Sequence, residues 1–218
     1  AATPRAGAAV GFAQDPDADR LALVDERGRY PGEEYTLALA VWRMLERRGA
    51  GVLAANLSTS RLIDAVAGHF AGSRVIRTAV GEANVAAALR REHGLIGGEG
   101  NGGVIVPSVT WVRDSLSAMA LTLDLLAGRG RPLSEIVAQL PPTAMVKSKL
   151  DLAAVGGAAA VAPALERVKQ AWSHASPNTV DGVRVDLDDG WVHLRASNTE
   201  PIIRIIAEAP TLARANAL

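Results

Sequence analysis

Val52-Leu-Ala-Ala-Asn56 opens a stretch, residues 52–97, in which short apolar runs alternate with helical patterns. Residues 52–56 read as a strand, 60–70 as a helix and 73–78 as a second strand. Residues 81–93 read as a second helix with Val85 and Leu89 inside, and Leu95-Ile-Gly97 as a third strand. This βαβα order predicts an α/β layer with a largely parallel sheet. Toward the C-terminus, the glycine-rich run Gly97-Gly-Glu-Gly-Asn-Gly-Gly103 interrupts the layer before Val104-Ile-Val106. Residues 113–127 and 134–140 read as closing helices, and Pro141-Pro142 marks the best domain boundary in the chain.

Toward the N-terminus, residues 8–13 and 21–25 read as a strand and its returning partner, with a turn at 26–29. Residues 33–48 carry Leu37, Val41, Met44 and Leu45 at helical spacing, with two Glu at the start and Arg-Arg at the end. Gly49-Ala-Gly51 stops that helix. Past Pro142, residues 147–150 open a second unit, followed by an alanine-rich helix over about 157–172. Residues 183–187 and 191–195 read as a hairpin around Asp188-Asp-Gly190, and 202–207 as a third strand. The expected architecture is therefore a mixed α/β domain followed by a smaller C-terminal α+β domain.

The composition narrows the function classes. The chain is 49% hydrophobic with 23 basic and 23 acidic residues, as expected of a globular protein. Zero formal net charge argues against a general nucleic-acid or membrane-surface role. No apolar run reaches the roughly 18 residues of a membrane span, and no signal segment opens the chain. A cytoplasmic location is the expectation. The absence of cysteine excludes disulfides, zinc thiolate sites and thiol catalysis. The first residue is Ala1, not Met, which points to a chain processed or excised from something longer.

Three loops carry candidate chemistry. In Asp15-Pro-Asp-Ala-Asp-Arg20, three carboxylates alternate with Pro and Ala and an arginine closes the run. Carboxylates this close need a cation, and oxygen donors without His or Cys suit Mg²⁺, Mn²⁺ or Ca²⁺ rather than Zn²⁺. Alternate residues of an extended strand sit about 6.6 Å apart, whereas neighbouring Mg²⁺ ligands lie only about 3 Å apart, so the chain must curl. Glu26 stands twelfth from Asp15, as in an EF-hand, but Arg20 replaces the needed glycine and strands replace the flanking helices. The rival reading is a solvated acidic turn neutralised by Arg20.

The glycine run sets Glu99 and Asn101 among five glycines. Glycines admit close backbone approach, and an acceptor beside an amide suits sugar hydroxyls better than phosphate. It has neither a Gly-Lys-Ser/Thr ending nor a dinucleotide register. A flexible turn between strands is the alternative. Arg195, Ser197, Asn198 and Thr199 gather a guanidinium, two hydroxyls and an amide in a loop able to wrap a phosphate, the alternative being a strand-end turn. His69, His93, His174 and His193 show no metal spacing, Ser58-Thr-Ser60 reads as a helix cap, and the four scattered Trp argue against a base-stacking platform.

Together and in this order, the three loops resemble those of the α-D-phosphohexomutase family, the phosphoglucomutase, phosphomannomutase and phosphoglucosamine mutase enzymes. Asp15–Arg20 is similar to the family's metal loop, Gly98–Gly103 to its sugar-recognition loop, and Arg195-Ala-Ser-Asn-Thr-Glu-Pro201 to its phosphate-binding loop. Asp189-Gly-Trp-Val-His-Leu194 and Ile202-Ile-Arg-Ile-Ile-Ala-Glu208 are similar too. The resemblance implies that residues 1–49 are the end of the family's second domain, 50–142 its third, and 143–218 most of its C-terminal domain. The phosphoserine domain is then expected to be missing, since no Ser-His-Asn-Pro-like loop occurs in these residues.

Carried over residue by residue, the resemblance implies that Asp15, Asp17 and Asp19 hold Mg²⁺, with a phosphoserine oxygen as a further ligand. Arg20 would lie beside the transferring phosphoryl group. Gly81, Glu99 and Asn101 would contact the sugar, and Arg195, Ser197, Asn198 and Thr199 the other phosphate. The implied partners are hexose phosphate and hexose bisphosphate, with no nucleic acid and no membrane. Many members carry Ser where Asn101 stands and His where Gly103 stands, which leaves the sugar and the general acid or base open. The Gly-Glu-Gly-Asn-Gly-Gly form followed by Arg113-Asp114 is most similar to the archaeal-type phosphoglucosamine mutase branch. The implied activity is a phosphomutase acting through a bisphosphorylated intermediate, inactive in this chain alone. The alternative is a non-catalytic phosphosugar- or Mg²⁺-binding module.

Overall fold

In the computed structural model, Ala2–Arg5 (α1) makes one turn, and Val10–Gln14 (β1) and Leu21–Asp25 (β2) pair as an antiparallel hairpin. The structure describes residues 1–197 and 200–218, which fall into two units, Ala1–Pro141 and Pro142–Leu218. The hairpin's connection is the acidic loop. It curls: Ala18 N–H donates to the Asp15 carbonyl at 3.0 Å, and Ala18 is left-handed at φ 56°. Along β2, Leu21, Leu23 and Asp25 share the buried face, the period-two pattern of a strand.

Glu34–Arg48 (α2) leads to Val52–Asn56 (β3), Leu62–Gly68 (α3), Arg74–Thr78 (β4), Glu82–Arg91 (α4), Ile96–Glu99 (β5) and Gly103–Ile105 (β6). Ser115–Arg129 (α5) and Leu133–Val137 (α6) close the first unit. The sheet order is β4-β3-β5-β6, with β3 parallel to both neighbours and β6 antiparallel to β5. Alternation along β3 serves both faces. Leu53 and Ala55 join Ile96, Val104 and the buried side of α2, while Ala54 joins Val85, Leu89 and Ile105 against α4.

Helix α2 is buried over most of its length and packs against α3, α5, β5 and β6. Full burial of side chains such as Leu37, Leu39 and Leu45 contributes about 1.5–3 kcal/mol each. This helix, which the sequence set apart in the segment 1–49, shares one core with the sheet. Helix α5 begins at Ser115, two residues later than expected, because Asp114 caps it. The Asp114 carboxylate accepts from Leu116 N–H at 3.2 Å and Ser117 N–H at 3.0 Å. Arg113 therefore stays outside the helix.

The second unit comprises Ala144–Asp151 (β7), Val161–Ala171 (α7), Val183–Leu187 (β8), Gly190–Ala196 (β9), Ile202–Ala209 (β10) and Leu212–Ala217 (α8). Its sheet order is β7-β10-β9-β8, with every neighbouring pair antiparallel. Strand β7 starts earlier than the expected 147 because the longer β10 pairs with it from Ile202↔Asp151 to Ala209↔Ala144. The alanine-rich helix starts only at Val161. Pro163 falls in its first turn, and a proline ring clashes with the carbonyl four residues upstream, so the helix cannot extend toward Gly157. Short 3₁₀ turns fill that interval.

On β9, Val192 and Leu194 face α7, where they line a cavity of about 250 Å³ with Val168, Trp172 and Ile205. Trp191, His193 and Arg195 occupy the other face of that strand and are also buried. The Trp191 Nε1–H donates to Glu208 Oε1 at 2.8 Å, and the Arg184 guanidinium stacks over its ring at 4.1 Å.

Candidate functional site

The three parallel strands end at Asn56, Thr78 and Glu99, and crevices at the carboxyl ends of such strands are where open α/β sheets take ligands. Glu99, 6% exposed, organises this edge. Its Oε1 accepts from Asn56 Nδ2 at 2.7 Å and from the Gly81 N–H at 3.2 Å. Its Oε2 accepts from Arg113 Nη1 at 2.8 Å. Thr59 Oγ1 donates to Asn56 Oδ1 at 3.0 Å and accepts from Gly100 N–H at 3.0 Å. Glu34 Oε2 accepts from Ser60 N–H at 2.9 Å, so polar groups from several segments meet beneath the glycine loop.

The acidic loop joins this edge directly. Arg20 and Gly103 form an antiparallel bridge, and Leu21 N–H donates to the Gly102 carbonyl at 3.0 Å. Asp15 Oδ1 accepts from the N–H groups of Asp19 and Arg20, both at 3.2 Å, and its Oδ2 accepts from Arg20 Nε at 2.6 Å. Desolvation pushes the Asp15 carboxyl up, but the side-chain and backbone bonds from Arg20, with its charge, outweigh it and hold the group below its ordinary value. Ser115 Oγ accepts from Gln14 Nε2 and donates to the Ala18 carbonyl, both at 2.6 Å, tying the loop to the start of α5. Asn101 Oδ1 accepts from Gly103 N–H at 3.1 Å. Asn101, Asp15, Arg20, Tyr30 and Glu33 line a cleft of about 280 Å³. Burial, and then Glu33 and Glu34, push the Tyr30 hydroxyl up.

Arg113 links the two loops. Its guanidinium lies 2.5 Å from Asp19 Oδ2, 2.8 Å from Glu99 Oε2 and 3.2 Å from Glu82 Oε2. Among the described residues, no three Asp, Glu or His groups converge to hold a metal. Asp15 is turned toward Arg20, and Asp19 toward Arg113 and Arg20. The donor chemistry nevertheless fits a hard cation. Three carboxylates lie on one curled turn, and Asp19 Oδ1 is buried without a hydrogen-bond partner.

In the second unit, Arg195 is 5% exposed and its Nε donates to Asp181 Oδ2 at 3.0 Å. Ser197 Oγ accepts from Glu200 N–H at 3.3 Å, and Ser197 N–H donates to the Ile202 carbonyl at 2.9 Å. Glu200 pairs with Arg204 and with Lys149. Asn198 and Thr199 lie outside the described residues. Of the four histidines, His193 is fully buried with Nε2 at 2.7 Å from the Asp181 carbonyl oxygen, and His69 stacks on Trp42.

The structure thus gathers Asp15, Asp19, Arg20, Gly81, Glu99 and Asn101 around one edge of the first unit, with Asp17 exposed on the same loop. It adds Arg113, Asn56, Thr59 and Glu34, which sequence reasoning had not placed in the site. For Arg113 the signal was a lone cation beside a helix-capping aspartate. For Thr59 it was a hydroxyl run read only as a cap.

The fold and loop set define a two-part α/β protein whose polar loops sit at the ends of a mixed sheet. The chain belongs to the phosphoglucomutase/phosphomannomutase family of α-D-phosphohexomutases: the alpha/beta/alpha domain III model matches residues 32–144, and the C-terminal domain model residues 145–218. It is 41% identical over 209 residues to a probable phosphoglucosamine mutase of Methanopyrus kandleri, covering 96% of this chain and 46% of that protein. A phosphoglucomutase/phosphomannomutase family protein of Burkholderia thailandensis superposes with a TM-score of 0.80 at 25% identity, over 99% of this chain and 46% of that one. The Aspergillus fumigatus N-acetylphosphoglucosamine mutase, solved with GlcNAc-6P and magnesium, shares the fold at a TM-score of 0.60 and 20% identity, over 94% of this chain and 50% of that one. The chain spans about half the length of the relatives it matches. Among the described residues, no helix is long and apolar enough to cross a membrane.

Proposed function

We propose that these residues form the metal-, sugar- and phosphate-handling part of a phosphohexomutase that interconverts hexose 1-phosphate and hexose 6-phosphate. In this reading a phosphoserine passes its phosphoryl group to the free hydroxyl of the sugar phosphate, whose proton is released. The hexose bisphosphate turns round, and its other phosphoryl group returns to the serine. The observation that carries the reading is the join between the acidic and glycine loops, through Arg20↔Gly103 and Arg113, at the carboxyl ends of parallel strands.

Glu99 and Asn101, with the Gly81 backbone, would meet sugar hydroxyls. Arg195, Ser197, Asn198 and Thr199 would grip the phosphate that is not transferred. Arg20 would stand beside the moving phosphoryl group and stabilise its charge. Asp15, Asp17 and Asp19 would hold Mg²⁺, which when bound spreads the negative charge of transfer. The magnesium bound to the Aspergillus neighbour supports that assignment, and the Methanopyrus relative supports glucosamine as the first sugar to test, ahead of glucose and mannose.

The serine would come from outside these residues, so the chain by itself is expected to be inactive. A coupled assay with glucosamine, glucose and mannose 1-phosphates plus hexose bisphosphate should show no turnover. Calorimetric titration with glucosamine 6-phosphate should show weak binding that Arg195→Ala abolishes. Sustained turnover would overturn the serine assignment, and binding indifferent to Arg195→Ala would overturn the phosphate grip.

A further inference from the structure

Arg113 lies where three separately encoded segments converge, and none of the proposed sugar or phosphate contacts uses its charge. Asp19 comes from the acidic loop, Glu99 from the end of β5 and Glu82 from the first turn of α4, and the guanidinium is within ion-pair distance of all three. The Arg113 backbone N–H also donates to Glu82 Oε1 at 2.8 Å, which fixes the root of the side chain. The stem lies over Gly103. A Cβ built on Gly103 would collide with Arg113 Cδ and sit 3.0 Å from its Cγ and 3.1 Å from Asn101 Oδ1. A bare backbone in one loop therefore makes the space that an arginine from another segment fills. A larger residue at 103 and Arg113 in this place exclude each other.

We propose that Arg113 is a positioning residue that sets the acidic loop in register with the glycine loop. It is also the resident counter-charge of Asp19, against which a divalent cation must compete. The inference rests on reading the acidic loop as a cation site. Three carboxylates drawn from three segments repel one another once they are partly withdrawn from water, and a planar fork of five N–H donors can satisfy them together where a point-like ammonium cannot. A guanidinium this close to Asp19 opposes a second cation at the same carboxylate. For a partly solvated charge, removing it should tighten cation binding by about three- to tenfold.

The test is titration of the 218-residue chain with Mn²⁺, read by electron paramagnetic resonance, together with thermal melting in the absence of metal. Arg113→Met should bind Mn²⁺ about three- to tenfold more tightly than wild type and melt at a lower temperature, recovering part of the loss when Mn²⁺ is added. Arg113→Lys keeps the charge but not the fork, so it should melt lower while holding wild-type Mn²⁺ affinity. Gly103→Ala keeps every charge and displaces the arginine stem, so it should tighten Mn²⁺ binding as Arg113→Met does. Should Arg113→Met fail to fold, Gly103→Ala decides the matter. Unchanged or weaker Mn²⁺ binding in Arg113→Met and Gly103→Ala overturns the inference while leaving the cation reading of the loop intact. No Mn²⁺ uptake by wild type or any variant overturns the cation reading and this inference with it.

Discussion

Arg113 in the first unit and Arg195 in the second are both withdrawn from solvent at a candidate site, yet their surroundings are opposite in sign. Around Arg113 and Arg20 stand Asp15, Asp19, Glu82 and Glu99, with Asp17 on the same loop, so carboxylates outnumber guanidiniums. Around the Arg195 loop, Asp181 and Glu200 face Arg195, Lys149 and Arg204, and cations are in excess. A buried charge is costly unless it is matched. On the proposed function, the imbalance suits a cation at the first site and an anion such as phosphate at the second. The acidic site is built from strand ends and glycine turns. The basic one stands on a sheet face anchored by a single large ring.

Removing that ring should have the largest effect. Trp191 is fully buried, donates to Glu208 and carries Arg184 on its face. Trp191→Ala removes the ring and strands both polar partners, so urea unfolding should show a loss of about 3–5 kcal/mol in the second unit. A loss under about 1 kcal/mol would mean that the polar groups of this face support one another without the ring.

Mild acid should separate the two regions next. Burial lowers the His193 imidazole below its ordinary value of 6.5, while the Asp181 carbonyl and carboxylate work the other way and lose. The unfolded chain then takes up the proton first. The second unit has its full stability above about pH 6.5, loses it as pH falls through that value, and levels off below the folded pKa. In the first unit the sign is the same but the window lies lower. Hydrogen bonds from Arg47 and then Arg43 hold the Asp124 carboxyl well below its ordinary 3.8. Its contribution is complete above that value and is lost only as pH falls through its lower folded pKa. Denaturation followed between pH 7.5 and 5 should weaken the second unit alone, and His193→Gln should flatten the slope. Equal weakening of both units would remove His193 as the cause.

The sequence made the layered fold legible because the apolar periods of residues 52–97 are local, and strand and helix spacing need no partner to be recognised. The curl of the acidic loop was legible for the same reason, since charge repulsion acts between neighbours. Gly49-Ala-Gly51 was legible as a helix stop, but the sequence did not show that the helix it ends is buried against α3 and α5. Arg113 was illegible because its partners, at 19, 82 and 99, are far apart in sequence and meet only in the folded sheet. Nor does the sequence say that the bare Gly103 exists to seat that arginine's stem rather than to flex. The same limit hid Asn56 and Thr59, whose bonds to Glu99 and Gly100 span two strands of the sheet.

The smallest expected effect tests whether excess charge in the second unit is structural at all. Lys149 is 61% exposed, and Glu200, its partner at 3.2 Å, also pairs with Arg204. An exposed pair gains little Coulomb energy in water and gives up side-chain freedom to hold its geometry, so Lys149→Ala should change stability by no more than about 0.5 kcal/mol. Arg113 differs because its carboxylates, Asp19, Glu82 and Glu99, are more withdrawn from water than Glu200. If the cation excess serves an anion, the cost of losing Lys149 should appear in binding: inorganic phosphate should bind about twofold more weakly at low salt, with the difference vanishing as ionic strength rises. A stability loss above 1 kcal/mol with unchanged phosphate binding would reverse the argument. It would make the basic loop a structural brace and leave the acidic loop as the site whose charge imbalance suits a ligand.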